Sequence, residues 1–265
     1  MRSIVRYIKL YLEFVKQNFK VMLEYRADFL IGFFSTFLLQ VGGIFFIWVI
    51  FDNIGDIQGW TFYEVTLIYG MLTLAKSINH IFFDNLWVLG QQYVRQGKFD
   101  VLLLRPISPL FHLVADKIQQ DGFGNLVIGI ILVTKSVMEL GIGFTVLDFF
   151  MMLVFVISGG FIFAAINLIT TTTSFWFVES NMFMWSTFSL SEFALYPLGI
   201  YHKAIGILLT WLIPYAFASY YPAGFFLDKG PIMMSLLTPV IAVVLWFIAL
   251  RVWNFGISNY SSTGS

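Results

Sequence analysis

The sequence predicts an all-α integral membrane protein with six transmembrane helices, preceded by a helix that lies in the membrane interface. The 265 residues are 59% hydrophobic and only 11% charged, and a soluble domain of that composition could not cover its apolar surface. Several stretches are uncharged over the about 20 residues that a helix needs to cross a bilayer. Lipid is the solvent in which such a surface is stable, and helices satisfy their own backbone groups there.

Residues 1–28 are predicted to form the interfacial helix. At about 100° per residue, apolar side chains such as Ile8 and Phe19 fall on one face and basic side chains such as Lys9 and Lys16 fall on another. This pattern suits a helix whose basic side contacts lipid headgroups. A helix packed on the rest of the protein would have the same pattern, but the interfacial position is preferred because a membrane span follows at once.

Residues 29–254 are predicted to form the transmembrane domain. The apolar segments, in order, are 29–51, 61–88, 112–138, 149–178, 182–201, 204–227 and 231–253. Segment 204–227 is long enough to cross but is broken by Pro214, Pro222 and Gly224. A re-entrant hairpin between helices five and six is therefore preferred to a seventh crossing.

The distribution of Lys and Arg predicts the orientation of the chain. Six basic residues precede the first span, and Arg95, Lys98 and Arg105 lie in the loop after the second span, whereas the loop after the first span has none. Because basic loops remain in the cytoplasm, the N-terminus and the loop at 89–111 are expected there. With six crossings the C-terminus is cytoplasmic too, and the polar segment 255–265 is predicted to be a disordered tail.

No motif for catalysis or metal binding is present in the sequence. The phosphate-binding pattern GxxxxGK[ST] and the hydrolase patterns HExxH and GxSxG do not occur. The chain has no Cys, and its three His residues (His80, His112 and His202) are far apart in sequence. We therefore expect no enzymatic activity, no metal site and no cofactor on this chain.

Among the polar residues inside the predicted membrane segments, five are candidate intramembrane polar sites: Lys76, His80, Asp84, Asp121 and Glu192. The first three are spaced i, i+4 and i+8, so they share one helix face. A charge at the bilayer centre costs about 2.5–3.5 kcal/mol, and such groups therefore face protein or water. A substrate path or proton relay is possible, but structural ion pairs are favoured. The depths of Lys76 and Asp121 predict that they pair, or that each has another polar partner.

Three stretches carry a resemblance to a known family: VRQGKFDVLLLRPISPL, FALYPLGIY and IPYAFASYYPAGFFL. Together they resemble the permease subunits of bacterial type-2 ATP-binding-cassette exporters, and within these the viologen-exporter-like branch. The resemblance covers nearly the whole chain and implies the same six helices, interfacial helix and re-entrant hairpin. It also implies a separate ATPase chain, which binds ATP and Mg, and a second permease that is either the same or a different chain.

By this resemblance, the loop at 91–109 contacts the ATPase. The residues expected to form the contact are Gly97, Phe99, Asp100, Leu102, Leu103, Arg105 and Pro106. A short amphipathic helix would present Phe99, Leu102 and Leu103 to a groove on the ATPase, while Asp100 and Arg105 would fix its register. An amphipathic loop that lies on lipid is the alternative.

The predicted function is that of a permease subunit in the bacterial cell membrane, which moves a hydrophobic or amphiphilic substrate outward. Two alternatives from other classes remain. One is a stand-alone proton-coupled carrier that uses Lys76, His80, Asp84 and Asp121. The other is a membrane assembly subunit that transports nothing.

Overall fold

The structure is a computed structural model that describes residues 2–177 and 180–261. Its α-helices, numbered in chain order, are α1 (Arg2–Glu24), α2 (Arg26–Ile54), α3 (Phe62–Phe83), α4 (Phe99–Leu104), α5 (Pro109–Ala115), α6 (Asp121–Glu139), α7 (Val146–Thr172), α8 (Asn181–Leu190), α9 (Lys203–Ile207), α10 (Tyr220–Phe226) and α11 (Ile232–Ser258). Within these ranges the one β feature is an isolated bridge between Ile57 and Trp60. The all-α class is therefore confirmed.

Four helices are long and apolar enough to cross a membrane. They are α2, α6, α7 with its 3₁₀ extension to Phe175, and α11. Three of them match uncharged spans predicted from the sequence, which reflects how directly a long apolar run specifies a membrane helix. The fourth, α6, begins at Asp121 rather than at His112, because residues 116–120 interrupt the predicted third span.

Helix α3 is the centre of the bundle. Most of its residues are buried, and it packs against α6 and α7. Glycines allow this close approach: a Cβ at Gly122 of α6 would lie 2.8 Å from the Ile81 nitrogen, and one at Gly160 of α7 would lie 2.5 Å from the Ile78 Cβ. Small residues at helix contacts are typical of membrane bundles, where backbones must approach closely to gain packing energy.

Helix α2 lies at the edge of the bundle. Only Ile47 and Phe51 are buried along its length, and it packs mainly on α6. Its exposed apolar side chains include Leu30, Ile31 and Leu39, so most of its surface is left for lipid or for another subunit.

The segment predicted to be broken is broken in the structure. Residues 203–227 form α9, a π-helical turn at Leu208–Leu212, a 3₁₀ turn at Tyr215–Ala218 and α10. The chain turns at Pro214, which cannot donate to a continuing helix. The 3₁₀ turn is fully buried against α7. The predicted fifth span is also short, since α8 has 10 residues and continues only as a 3₁₀ turn to Leu195.

The start of the predicted disordered tail is wrong. Helix α11 continues to Ser258, and the ring of Tyr260 packs 5.0 Å from the ring of Phe99. The polar composition of this segment suggested disorder, but aromatic packing holds its first residues. Residues 262–265 of the predicted tail, and Val178 and Glu179 near the end of the predicted fourth span, lie outside the described residues.

Candidate functional site

Lys76 is a buried cation on α3, and its partner is Glu192. The Lys76 Nζ lies 2.6 Å from Glu192 Oε1 and 5.1 Å from the centre of the Phe188 ring. The lysine side chain is 8% exposed, whereas the glutamate side chain is 58% exposed. The predicted pairing of Lys76 with Asp121 is therefore wrong, and the expectation that Lys76 has a polar partner in the bundle is confirmed.

Asp121 does not reach Lys76 because it faces α2. One carboxylate oxygen lies against Gly32 of α2, and the other accepts a hydrogen bond from Gln119 Nε2 at 3.4 Å. Asp84, which begins a 3₁₀ turn after α3, is under the electrostatic influence of Asp121 and Lys117. The two aspartates thus belong to one polar region, and the Lys76–Glu192 pair belongs to another.

His80 begins a chain of hydrogen bonds that joins three helices. Asn125 of α6 donates to His80 Nδ1 at 3.1 Å and accepts from Gln40 of α2 at 2.9 Å. Gln40 in turn accepts from the Tyr69 hydroxyl of α3 at 2.6 Å. Two links in this chain are amides, which do not take up and release protons near neutral pH. The arrangement therefore favours helix packing over a proton relay.

The predicted shared face of Lys76, His80 and Asp84 holds for its first two members. Lys76 and His80 both contact the Phe188 ring, which stacks on the imidazole at 5.7 Å. The chain leaves the α-helical path at Asp84, so the third member points to a different set of neighbours.

The loop at 91–109 contains the short helix that was predicted from the sequence. Helix α4 runs from Phe99 to Leu104, and Arg105 leaves it in an extended conformation before Pro106. The next helix, α5, begins at Pro109 after the cap residue Ser108. Together α4 and α5 form a helical hairpin at one end of the bundle. Helix α1 and the C-terminal end of α11 lie at the same end, and we call it the basic end.

Two of the three side chains expected to contact an ATPase are buried within this chain. Phe99 is fully buried, with its ring 4.9 Å from that of Phe175 and 6.2 Å from that of Trp253. Leu102 is 3% exposed in the same cluster. The prediction that Phe99 and Leu102 face a partner is therefore wrong, because the apolar face of α4 packs against α7 and α11.

The other apolar side chains of α4 are exposed. Leu104 is 86% exposed, and Val101 and Leu103 are about half exposed. Isolated exposed leucines are common on protein surfaces, but three on one six-residue helix form a patch. Of the predicted contact residues, Leu103 lies on this patch.

Arg105 is turned toward α5 and does not serve as a free charge at the rim. Its Nη1 donates to His112 Nε2 at 2.7 Å. Burial, with a further contribution from the Arg105 guanidinium, lowers the pKa of His112. The imidazole is therefore neutral at pH 7 and accepts the hydrogen bond, which fixes the angle between α4 and α5.

Helix α1 is packed on this hairpin. Rings of α1 surround Phe111 of α5, the nearest being that of Tyr7 at 4.8 Å. Asn18 accepts a hydrogen bond from the Ile118 nitrogen at 3.1 Å and donates to the Asp116 carbonyl at 3.3 Å. A motion of the α4–α5 hairpin would therefore carry α1 with it. Part of α1, including Phe19, remains exposed, as an interfacial helix requires.

At the opposite end of the bundle, Lys229 joins two loops through contacts that sequence reasoning missed, and we call this group of contacts the clamp. Lys229 Nζ donates to Glu64 Oε2 at 2.7 Å and to the Gly59 carbonyl at 3.1 Å, and it lies 4.4 Å from the centre of a Trp60 ring. Glu64 was recognisable as the last residue of a capping box that begins at Thr61. Its partner 165 positions later could not be found from spacing.

The fold and these contacts define a multi-pass helical membrane protein whose polar residues hold helices together. In the part of the chain that the structure describes, no group of three or more His, Asp or Glu side chains could hold a metal ion.

The sequence of residues 37–264 matches the profile of a family described as ABC-2 family transporter protein, and the chain therefore belongs to the ABC-2 transporter family. The protein is thus a membrane component of a transporter, an ABC-2 type permease. No curated protein matches the chain.

Proposed function

We propose that this chain is the permease subunit of an ATP-driven exporter, which moves a hydrophobic or amphiphilic substrate outward. A separate ATPase chain binds ATP and Mg and supplies the force. The observation that carries the proposal is the exposed patch of Val101, Leu103 and Leu104 on α4, a helix whose other face is locked into the bundle. Because the buried face of α4 is fixed in the bundle, a force applied to the exposed patch is transmitted to the helices on which α4 packs.

Three routes lead from this patch into the membrane domain. Phe99 connects α4 to the ends of α7 and α11 through the Phe175 and Trp253 rings. Arg105 connects α4 to α5 through His112. Helix α5 is in turn held by α1 and precedes α6. The proposed coupling site is therefore the exposed surface of α4, and it does not include the buried side chains of Phe99 and Leu102.

The proposal is tested by replacing both exposed leucines of α4. Leu103→Ala with Leu104→Ala should weaken binding of the ATPase by about 100-fold or more, since apolar anchors at an interface can each be worth about 2 kcal/mol and each 1.4 kcal/mol is tenfold. Transport-stimulated ATP hydrolysis should fall with it. The matched control is Leu38→Ala with Leu39→Ala, an adjacent pair of exposed leucines on α2. Equal loss in both variants, or no loss in either, would contradict the proposed coupling site.

The proposed topology has six crossings, with both termini in the cytoplasm of a bacterial cell. The basic end then faces the ATPase, and the broken segment 204–227 forms a re-entrant hairpin near the outer surface. Its buried 3₁₀ turn at Tyr215–Ala218 supports this placement, because irregular backbone at membrane depth must be covered by protein. A second permease, identical or different, completes the transporter, and membership of the viologen-exporter-like branch remains part of the proposal.

The substrate class is inferred from the scarcity of fixed polar groups. The bundle is built largely from Phe, Leu and Ile, and its buried ion pair and amide chain are already satisfied internally. A sugar or inorganic ion would need several polar groups that converge on one site. The buried polar atoms without a hydrogen-bond partner, such as those of Asn79, Ser136 and Thr238, belong to three different helices. Deletion of the gene should therefore sensitise cells to hydrophobic cations or lipid-like compounds; normal resistance to all of these would contradict the assignment.

One transport experiment distinguishes the two alternative functions from the proposed one. A proton-coupled carrier would transport without ATP and would lose activity with an uncoupler, and an assembly subunit would transport under neither condition. The amide links between His80 and Tyr69 argue against the first alternative. Transport by purified permease and ATPase in vesicles, with and without ATP, separates all three.

A further inference from the structure

A cavity of about 420 Å³ lies at the basic end, between α1, the beginning of α2 and the interruption at 116–120. Its volume is within the range of about 300–1,000 Å³ that is typical of small-molecule sites. Polar side chains from all three segments line it, among them Asn18, Asp28, Lys117 and Gln120.

Two exposed and opposite charges in this cavity, Lys117 and Asp28, form no ion pair with the side chains that the structure describes. Among residues 5–177 and 180–261, no carboxylate lies within 4.0 Å of Lys117 Nζ, and no basic group lies within 4.0 Å of the Asp28 carboxylate. The longer-range attraction that Lys117 receives comes from Asp84. The lining also includes Asp116, whose carboxylate accepts a hydrogen bond from the Tyr93 hydroxyl at 3.4 Å. Lys117 and Asp28 are therefore the cation and the anion of the lining that are too far apart to form an ion pair with each other.

The frame of the cavity is held by backbone hydrogen bonds. Asn18 of α1 binds the Ile118 nitrogen and the Asp116 carbonyl, and the Gln119 nitrogen donates to the Ile81 carbonyl at 3.2 Å. These bonds fix the interruption between α5 and α6 relative to both α1 and α3. A ligand that bound here would meet a backbone frame that is already fixed, from which the exposed side chain of Lys117 projects.

The cavity opens at the level where the membrane surface begins. Asp28 lies in the first turn of α2, and Leu30 and Ile31, which are 49% and 68% exposed, follow within about 5 Å at 1.5 Å per residue. A molecule whose polar part fills the cavity would lay its apolar part along α2. The ligand is therefore an amphiphile and not a soluble ion.

We propose that this cavity binds the headgroup of a zwitterionic glycerophospholipid that carries a primary ammonium. Lys117 binds the phosphate, and Asp28 accepts hydrogen bonds from the ammonium, assisted by the side-chain carbonyl of Gln120. A quaternary ammonium has no N–H group to offer these acceptors, and an anionic headgroup leaves Asp28 unpaired. The inference depends on the membrane placement of the chain and not on the exporter function.

Native mass spectrometry of the full-length protein, purified from vesicles of phosphatidylethanolamine, phosphatidylcholine and phosphatidylglycerol in equal amounts, tests the proposal. The protein should retain phosphatidylethanolamine in preference to the other two. Lys117→Gln with Asp28→Asn should weaken that retention by about tenfold or more, since each change removes a hydrogen bond to a charged group. Lys98→Gln with Asp52→Asn, which alters two exposed charges elsewhere, is the matched control.

Charge reversal distinguishes this site from nonspecific attraction. Lys117→Asp alone should abolish retention, and Lys117→Asp combined with Asp28→Lys should restore it, because a zwitterion can bind in the reverse direction. Equal retention in the original and doubly neutralised proteins would overturn the proposal. So would equal retention of phosphatidylglycerol that depends on Lys117 alone, which would indicate a simple phosphate site.

A soluble competitor separates a lipid from a free zwitterion. Glycerophosphoethanolamine has the same headgroup without acyl chains, and it should compete at least about tenfold more weakly, because burial of each methylene contributes about 0.8 kcal/mol. Competition at the same concentration as the lipid would assign the cavity to a soluble amine and overturn the lipid proposal.

Discussion

The ammonium of Lys76 and the carboxylate of Glu192 lie 2.6 Å apart although 116 positions separate them in the chain. The pair is asymmetric, with the lysine buried in the bundle and the glutamate more than half exposed. Each partner should therefore respond differently to removal of the other.

We predict that Glu192→Leu destabilises the protein more than Lys76→Met does. The first change leaves a buried ammonium unpaired, which costs about 3–5 kcal/mol, whereas the second leaves a carboxylate that water or a neighbouring chain can reach. The double variant should be close to the original protein in stability. Thermal unfolding in detergent measures all three, with Asp121→Asn as the control; identical melting temperatures for the two single variants would refute the asymmetry.

Replacement of Phe99 should damage the fold rather than the contact with a partner. Phe99→Ala removes a fully buried ring that contacts Phe175, Trp253 and Tyr260, so we expect a loss of about 3–5 kcal/mol. Leu104→Ala, at an 86% exposed side chain, should change stability by less than about 0.5 kcal/mol. Melting temperatures of the two variants provide the comparison. A stable Phe99→Ala protein with a weakened ATPase contact would restore the original assignment.

The clamp around Lys229 should stabilise the end of the bundle opposite α4. Lys229→Met removes hydrogen bonds to the Gly59 carbonyl and to Glu64, a carboxylate that is only 13% exposed, so we expect a loss of about 1–3 kcal/mol. Lys229→Arg keeps the charge and should lose less. Limited proteolysis between Asp52 and Thr61 reports whether the loop is released. Unchanged cleavage in Lys229→Met would mean that the clamp does not hold it.

Cysteine labelling tests the topology cleanly because the chain has no Cys of its own. In intact cells, an impermeant thiol reagent should label Asp52→Cys and Pro231→Cys but not Lys98→Cys or Ser261→Cys. All four positions are exposed in the structure, so accessibility differs only through the membrane. External labelling of Ser261→Cys would favour an odd number of crossings between Lys98 and the C-terminus.

The parts of the fold that depend on lipid were predictable from the sequence. Long uncharged runs specify α2, α7 and α11 because each backbone group must be satisfied within its own helix. The prolines at 214 and 222 likewise indicate a broken segment. None of these predictions requires knowledge of which helices become neighbours.

The wrong predictions concern residues whose orientation depends on packing against neighbouring helices. The apolar residues of α4 are distributed all round the helix, and only the position of Phe175 and Trp253 determines that Phe99 turns inward. Lys76 and Asp121 lie at comparable predicted depths, but depth does not specify direction around a helix axis, and Asp121 faces α2. Tyr260 similarly lies in a polar segment whose order depends on the α4 cluster.

The central position of α3 has a consequence for biosynthesis. In the proposed six-span topology this helix brings a lysine into the bilayer, but Glu192 is synthesised 116 residues later, which takes about 6–23 s at about 5–20 residues per second. During that interval the nascent chain carries an unpaired intramembrane charge. Until the 3₁₀ turn after α8, which carries Glu192, emerges from the ribosome, α3 must be sheltered by the insertion machinery or held near the headgroups. Chains whose translation stalls before residue 192 should therefore be preferred targets of membrane quality-control proteases.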